Sequence, residues 1–295
     1  MKEPILTARN SSEKFVELKE KDLHILKSPA LAAIPWLRHG FSTRVGGQSV
    51  FPSGSLNLGF TEFDSRRAVE ANRVAFFEAI GMEGFSVVRL RQSHSDRVAL
   101  IASRVLSHPI IDADAAVTEV SQVVLTVVTA DCLPILMVDS NSHAVGVVHA
   151  GWRGTTQGIA AKTVETLVRK GAGPASNLKA AIGPSIRACC YEVGDEVLAA
   201  FRKTVPGPDK YFSVLPPGGE TTQSDRNPAS GAGRREKFFL DLIAANRDQL
   251  MDAGVRGENI SVSPACTGCH PELFFSHRKE NGRTGRMMSA IASIG

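Results

Sequence analysis

Apolar positions along this chain follow two patterns. Three runs rich in β-branched residues, 123–129 (VVLTVVT), 134–138 (PILMV) and 144–148 (AVGVV), are too short for helices and end in small or polar residues, which predicts buried strands. FSVVRL (85–90), LKAAIGPSI (178–186) and NISVSPAC (259–266) read as further strands, the last as a closing one. Helical spacing marks DSRRAVEANRVAFFEAI (64–80), with Val69, Val74, Phe77 and Ile80 on the apolar face, Asp64 or Ser65 as cap and Gly81 as stop. GIAAKTVETLVRKGA (158–172) repeats the pattern through Ile159, Val164, Leu167 and Val168. A third helix is expected from Glu192 and a fourth over KFFLDLIAANRDQLMDAGV (237–255). Strands and helices intermix without one-to-one alternation, so the expected class is α+β, with layered mixed β-sheets flanked by helices.

Between these elements lie weakly patterned or loop-like stretches. Residues 1–34 read as an N-terminal extension, and 206–236, dense in Pro, Gly, Ser and charge, as a mobile insertion within a single domain spanning 1–295. HGFSTRVGGQSVFPSGSLNLGF (39–60) predicts a folded-back loop at Gly46 and Gly47 that can present Arg44 and backbone N–H groups to an anion, although it lacks a Walker pattern. A plain hairpin connection fits it equally well.

Composition narrows the partners. A net charge of +4 with scattered basic residues and 6% aromatics does not favour a nucleic-acid surface. No apolar run approaches the ~20 residues that span a bilayer. The first fifteen residues lack a secretory h-region, and five cysteines are an odd number, so free thiols in a cytoplasmic setting are expected.

Chemistry concentrates at the strand ends. Cys132 follows the first run in TADC and His149 closes the third in VVHAGWRG, with Asp131, Trp152 and Arg153 beside them. Singly, each reads as a buried thiol or a satisfied core histidine; together they read as a site. His94, just past the 85–90 strand, completes a His₂Cys set. Three such ligands suit a catalytic zinc with an open fourth position. They also suit a Cys132 nucleophile with a histidine base, or copper. Eight histidines and no H-x-H pair count against a multicopper oxidase. CTGCH (266–270) matches a haem-attachment pattern without an export signal; a C-x-x-C redox pair or second metal site is the other reading. Adjacent Cys189 and Cys190 are not expected to face one pocket from a regular strand. Arg278, Arg283 and Arg286, in FFSHRKENGRTGRM, suit phosphate, or a solvated turn between strands.

Taken together, FSTRVGGQS with SLNLG, Gln92-Ser93-His94, ADAAVT, TADCLPILMVD, GVVHAGWRGT, AIGPSI with YEVGDEV, and the C-T, FFSHR and TGRMM segments resemble the YfiH/laccase-domain family over roughly residues 38 to 292. The resemblance implies a YfiH-like α+β fold and zinc bound by His94, Cys132 and His149. It implies phosphorolysis of adenosine, inosine and methylthioadenosine to the free base and ribose 1-phosphate, with adenosine deamination. The partners would then be a purine nucleoside and phosphate. Peptidoglycan precursor editing, which would make the chain a cysteine amidohydrolase, is the main alternative, and a copper polyphenol oxidase is a weaker one. A non-catalytic metabolite-binding module is also open. On this reading Asp131 is the expected acid/base group, Arg44 the first phosphate contact and Arg278 the second. The family's FFSYRR is FFSHRK here, so Lys279 replaces an arginine fork; His277 and the second cysteine of CTGCH also differ.

Overall fold

The computed structural model describes residues 15–20, 22–50, 55–104, 110–214 and 237–295. Within these, two sheets stack face to face. The first carries β1 (Val16–Glu20), β2 (Leu23–Lys27), β3 (Leu37–Ser42), β5 (Ser86–Leu90), β7 (Ile110–Ile111), β9 (Val123–Thr129) and β17 (Met287–Ser293), in the order β1-β2-β3-β17-β9-β5-β7. The second carries β6 (Val98–Ile101), β8 (Ala115–Thr118), β10 (Leu133–Asp139), β11 (Val145–Ala150), β12 (Leu178–Ile182) and β16 (Ile260–Val262), in the order β16-β12-β10-β11-β8-β6. β4 (Val45–Ser49) stands outside both, joined to Ser55 by isolated bridges.

The central apolar runs show why they lack polar alternation. In β10, Leu136 and Val138 point between the sheets, beside Leu125, Val127 and Ile291 of the first sheet, while Ile135 and Met137 face the outer helices. Period-2 alternation is present, but both faces are buried, so both are apolar. Helix α2 (Arg66–Ala79) covers the outside of the first sheet with Phe76, packed with Ile80, Val124 and Met288. Outside the second sheet lie α4 (Ile159–Arg169), α5 (Asp195–Thr204) and α6 (Leu242–Asp252), following the short α1 (Pro29–Ala32) and α3 (Trp152–Thr156) in chain order. The layered α+β architecture expected from the sequence is the one observed.

Several boundaries differ from expectation, for identifiable reasons. Val74 is 58% exposed and Val168 37% exposed; the buried row of α2 runs through Val69, Asn72 and Phe76 instead. Asn72 replaces an apolar residue because its amide donates to Ser49 Oγ and the Asn57 carbonyl and its oxygen accepts from Gln48 N, stitching Gln48, Ser49 and Asn57 to the helix. The third and fourth helices begin later than expected. Glu192–Val193 (β13) and Phe238–Leu240 (β15) pair with each other, and with Phe212–Ser213 (β14), in a small third sheet. NISVSPAC forms edge strand β16 rather than a closing strand, and β17 follows it into the middle of the first sheet. Of the 206–236 insertion, 215–236 lie outside the described residues, as do 1–14 of the extension; the rest of the extension supplies β1, β2 and α1. Among the described residues no helix is long and apolar enough to cross a membrane.

Candidate metal centre

Strand register brings the predicted residues to one end of the second sheet. Antiparallel pairing sets Leu133 opposite Ala150 and Pro134 opposite His149, so Cys132, just before β10, arrives beside Gly151, just after β11. On the other side of β11, Val148 pairs with Ala115, and the His149 N–H donates to the Asp114 carbonyl at 2.7 Å. β6 runs parallel to β8 from Val98 opposite Ala115, which leaves the 91–97 loop lying over the same end. Gln92 moors that loop: its amide donates to the Val128 carbonyl and accepts from Val128 N, both at 2.8 Å.

His94, Cys132 and His149 offer ligand atoms that all lie within 4.8 Å of one another. Cys132 Sγ is 3.8 Å from His94 Nε2, and the two imidazoles meet edge to face with centroids 4.9 Å apart. Two backbone features permit this approach. His94 sits at φ 62°, a left-handed conformation uncommon outside glycine. At Gly151, an added Cβ would stand 2.8 Å from His94 Cδ2 and 3.1 Å from Cys132 Sγ, so no larger residue fits between the ligands.

Asp114 is the residue that sequence reasoning missed. Fully buried, its carboxylate accepts from the N–H groups of Ser93, His94 and Ser95, from Ser95 Oγ at 2.7 Å and from His149 Nδ1 at 2.8 Å. It orients both histidines at once. Burial pushes the Asp114 carboxyl up, but the bonds from His149, Ser95 and Ser93 outweigh it and hold the group well below the usual carboxylate range. An ionised Asp114 requires the His149 proton on Nδ1, which turns Nε2 toward the cluster. Burial also raises Cys132, yet His149 and the bonds from both imidazoles bring its thiol down to about 6. His149 is opposed by burial but raised by Cys132 and Asp114 to about 9. One soft thiolate, two imidazoles and a carboxylate behind them form a donor set that fits a divalent transition-metal ion.

The cluster opens into a cleft of about 570 Å³, the size of a small-molecule site. Arg278, Arg286 and Arg153 line it, as do Trp152 and Tyr191. Burial lowers Arg286, while the charges of nearby Cys132 and Asp131 act in the opposite direction. Asp131 is the only carboxylate among the described lining residues. It sits at φ 90° where the chain crosses from β9 in one sheet to β10 in the other, and its oxygens accept from Thr267 Oγ1 at 2.6 Å and Arg278 N at 2.7 Å.

Arg44 is elsewhere. Its guanidinium donates to the Pro271 carbonyl at 2.7 Å, pairs with Glu280 at 3.2 Å and stacks on Phe275, outside the cleft lining. The glycine-rich loop does fold back, with Gly46 and Gly47 at φ 83° and 87°, but it braces the 271–280 segment instead of presenting Arg44 to an anion.

Residues 38–294 match the family model described as multi-copper polyphenol oxidoreductase laccase. The chain belongs to the laccase-domain (YfiH) family. Among relatives of this family, the chain is 36% identical over 259 residues to purine nucleoside phosphorylase YlmD of Bacillus subtilis (strain 168), covering 85% of this chain and 87% of that one. It is 38% identical over 261 residues to adenosine deaminase RL5 of an unknown prokaryotic organism, covering 85% and 92%. Among solved structures, the Bacillus licheniformis hypothetical protein YfiH superposes with a TM-score of 0.77 at 30% identity, over 93% of this chain and 97% of that one. YlmD from Geobacillus stearothermophilus gives 0.76 at 31% identity, over 95% and 100%. The YfiH-like fold expected from the sequence is thereby established.

Proposed function

We propose that this chain is a zinc-dependent purine nucleoside phosphorylase, cleaving adenosine, inosine or methylthioadenosine with phosphate to the base and ribose 1-phosphate, and that it also deaminates adenosine. The observation that carries this reading is the convergence of His94, Cys132 and His149 at the floor of an arginine-lined cleft. The names of the relatives point to the same two activities. The three residues would hold the metal, which when bound supplies Lewis acidity to whatever group takes the coordination position they leave open. Zinc is preferred to copper because among the described residues this is the only converging group that contains histidine, where multicopper chemistry needs several.

The chain's own residues supply the rest. Phosphorolysis needs a phosphate held against the sugar's C1′ while positive charge develops there. Arg278, Arg286 and Arg153 bring cationic forks to the cleft and replace Arg44 in that role. Two backbone carbonyls, of Thr284 and Gly285, accept from one Arg286 nitrogen and fix its fork. Trp152 and Tyr191 offer flat faces to a purine. Deamination needs a group that passes a proton to the leaving amine, and Asp131, the one carboxylate among the described lining residues, is the group we assign to it. In an Asp131→Asn variant the two roles read out in different reactions: a lost shuttle lowers kcat for adenosine deamination, whereas a lost anchor of the 278 segment raises KM for phosphate in nucleoside cleavage.

The test is product identification after incubating the zinc-loaded protein with inosine and adenosine, with and without phosphate. Hypoxanthine or adenine together with ribose 1-phosphate should appear only with phosphate. Base release indifferent to phosphate, or equal activity without metal, would overturn the assignment. A second reading, a cysteine amidohydrolase, draws on the acidic Cys132 thiol beside a raised His149. It requires a covalent adduct on Cys132 and activity that survives chelation.

A further inference from the structure

A second cluster of soft ligands lies apart from the cleft. Cys189 and Cys190 occupy a turn, not a strand, in which Cys190 N donates to the Arg187 carbonyl at 2.8 Å; this is why both side chains can reach one place. Cys266 and Cys269 flank a tight turn in which the N–H groups of Cys269 and His270 both donate to the Cys266 carbonyl at 3.2 Å. The four sulfurs lie within 4.8 Å of one another: Cys189 is 3.6 Å from Cys266 and 3.5 Å from Cys269, and Cys190 is 3.4 Å from Cys269.

We propose that Cys189, Cys190, Cys266 and Cys269 form a structural metal site that binds one zinc ion through four thiolates. Zinc–sulfur bonds of about 2.3 Å in a tetrahedron place the sulfurs about 3.8 Å apart, close to the separations found here. A four-iron cluster seats one thiolate on each iron corner and needs them farther apart. A disulfide needs its sulfurs at about 2.05 Å and would leave the other two thiols without a role. The C-x-x-C spacing belongs to such zinc sites, and the CTGCH sulfurs turn toward Cys189 and Cys190, with Cys266 buried. Gly268, between the paired cysteines, has no Cβ; one would lie 2.9 Å from Cys190 Cβ and 3.1 Å from its sulfur. Binding replaces four thiol protons, released to solvent, with one divalent ion, leaving a site of net charge −2 near the Lys279 ammonium, which acts on Cys269.

With all four ligands from the protein the site has no open position, so its work is to hold chain segments together. The segments it joins are walls of the cleft. Thr267, inside the 266–269 turn, donates to Asp131, and Ile186 N donates to the Asp131 carbonyl at 2.9 Å. Tyr191, next to Cys190, lines the cleft itself.

The test uses the full-length chain and does not depend on the proposed reaction. Zinc per chain is measured by plasma mass spectrometry in the wild type, in a His94→Ala/Cys132→Ser/His149→Ala variant and in a Cys266→Ser/Cys269→Ser variant. Two, one and one equivalents are expected. Cobalt(II) loaded into the triad variant should show strong thiolate-to-metal charge transfer of a tetrahedral tetrathiolate. In the wild type, which needs no substitution to fold, the four cysteines should resist alkylation until a chelator is added. A triad variant that takes up neither zinc nor cobalt would overturn the proposal, as would rapid alkylation of these cysteines in zinc-loaded wild type or their recovery as disulfides from reduced protein. Failure of phosphate-dependent cleavage by the wild type, while the triad variant still retains one zinc, would sink only the proposed function.

Discussion

Asp114 shows how much of a candidate metal centre can rest on a side chain outside the donor set. One carboxylate caps three consecutive N–H groups around His94 and holds His149 by Nδ1, so a single substitution disturbs two ligands. Asp114→Asn keeps the shape but can no longer accept all of these bonds. It should weaken zinc binding at the His94/Cys132/His149 centre about 10–100-fold, as such outer partners typically do, measured by competition with a chelating dye. Unchanged affinity would remove Asp114 from the account. The ligands themselves were legible in the sequence because soft side chains stood at the ends of apolar runs. Asp114 stands inside the matched ADAAVT segment while Asp112, which lies at the surface and pairs with Arg91, stands just outside it, but residue chemistry alone gives the two the same weight. The register of β8 against β11 is what shows the role of Asp114.

At the scale of elements, the three central apolar runs gave β9, β10 and β11 to within two residues, because their length and burial are local properties, whereas the 178–186 and 259–266 strands are shorter than expected. Helix starts were less legible, since β13 and β15 depend on each other across more than forty residues. Such pairing leaves no mark on either segment alone. Element junctions also carry a pH response. His39, in β3, is buried and accepts from Ser28 N at 3.0 Å through Nε2, tying the start of α1 to the first sheet. Burial, then the nearby Lys27, lowers its pKa to about 3, although the Ser28 bond acts the other way. Below the ordinary histidine value of about 6.5 the unfolded chain takes up this proton and the folded chain does not. Stability is therefore lost as pH falls from about 6.5 toward 3, by up to about 1.4 kcal/mol per pH unit from this group. Denaturant titrations at pH 7 and pH 5 should show a larger loss for wild type than for His39→Gln, which retains an acceptor without titrating. Parallel losses would exclude His39 as the source.

The whole molecule is a sandwich in which the two sheets must stay in register for the cleft to exist. Cys132 and Asp131 lie at the crossing from one sheet to the other, and Arg286 precedes β17 of the first sheet while His149 belongs to the second. Phe41 helps to hold the sheets together. It projects from β3 onto Gly183, where an added Cβ would fall 2.3 Å from its ring. Phe41→Ala should cost about 3–5 kcal/mol, read by denaturant unfolding; a loss under 1 kcal/mol would mean the sheets do not depend on it. This scale was the least legible in sequence. Arg44 looked like an anion contact because its glycine-rich loop suits one, but the loop packs on residues 271–280, more than two hundred positions away. The arginines that do reach the cleft could not be ranked without that packing.

The central claim is that His94, Cys132 and His149 bind one ion together. Anomalous diffraction at the zinc edge from crystals of the zinc-loaded protein tests it most directly. The account predicts a peak about 2.0–2.3 Å from Cys132 Sγ, His94 Nε2 and His149 Nε2. An empty position between these three side chains in fully zinc-loaded crystals would contradict it.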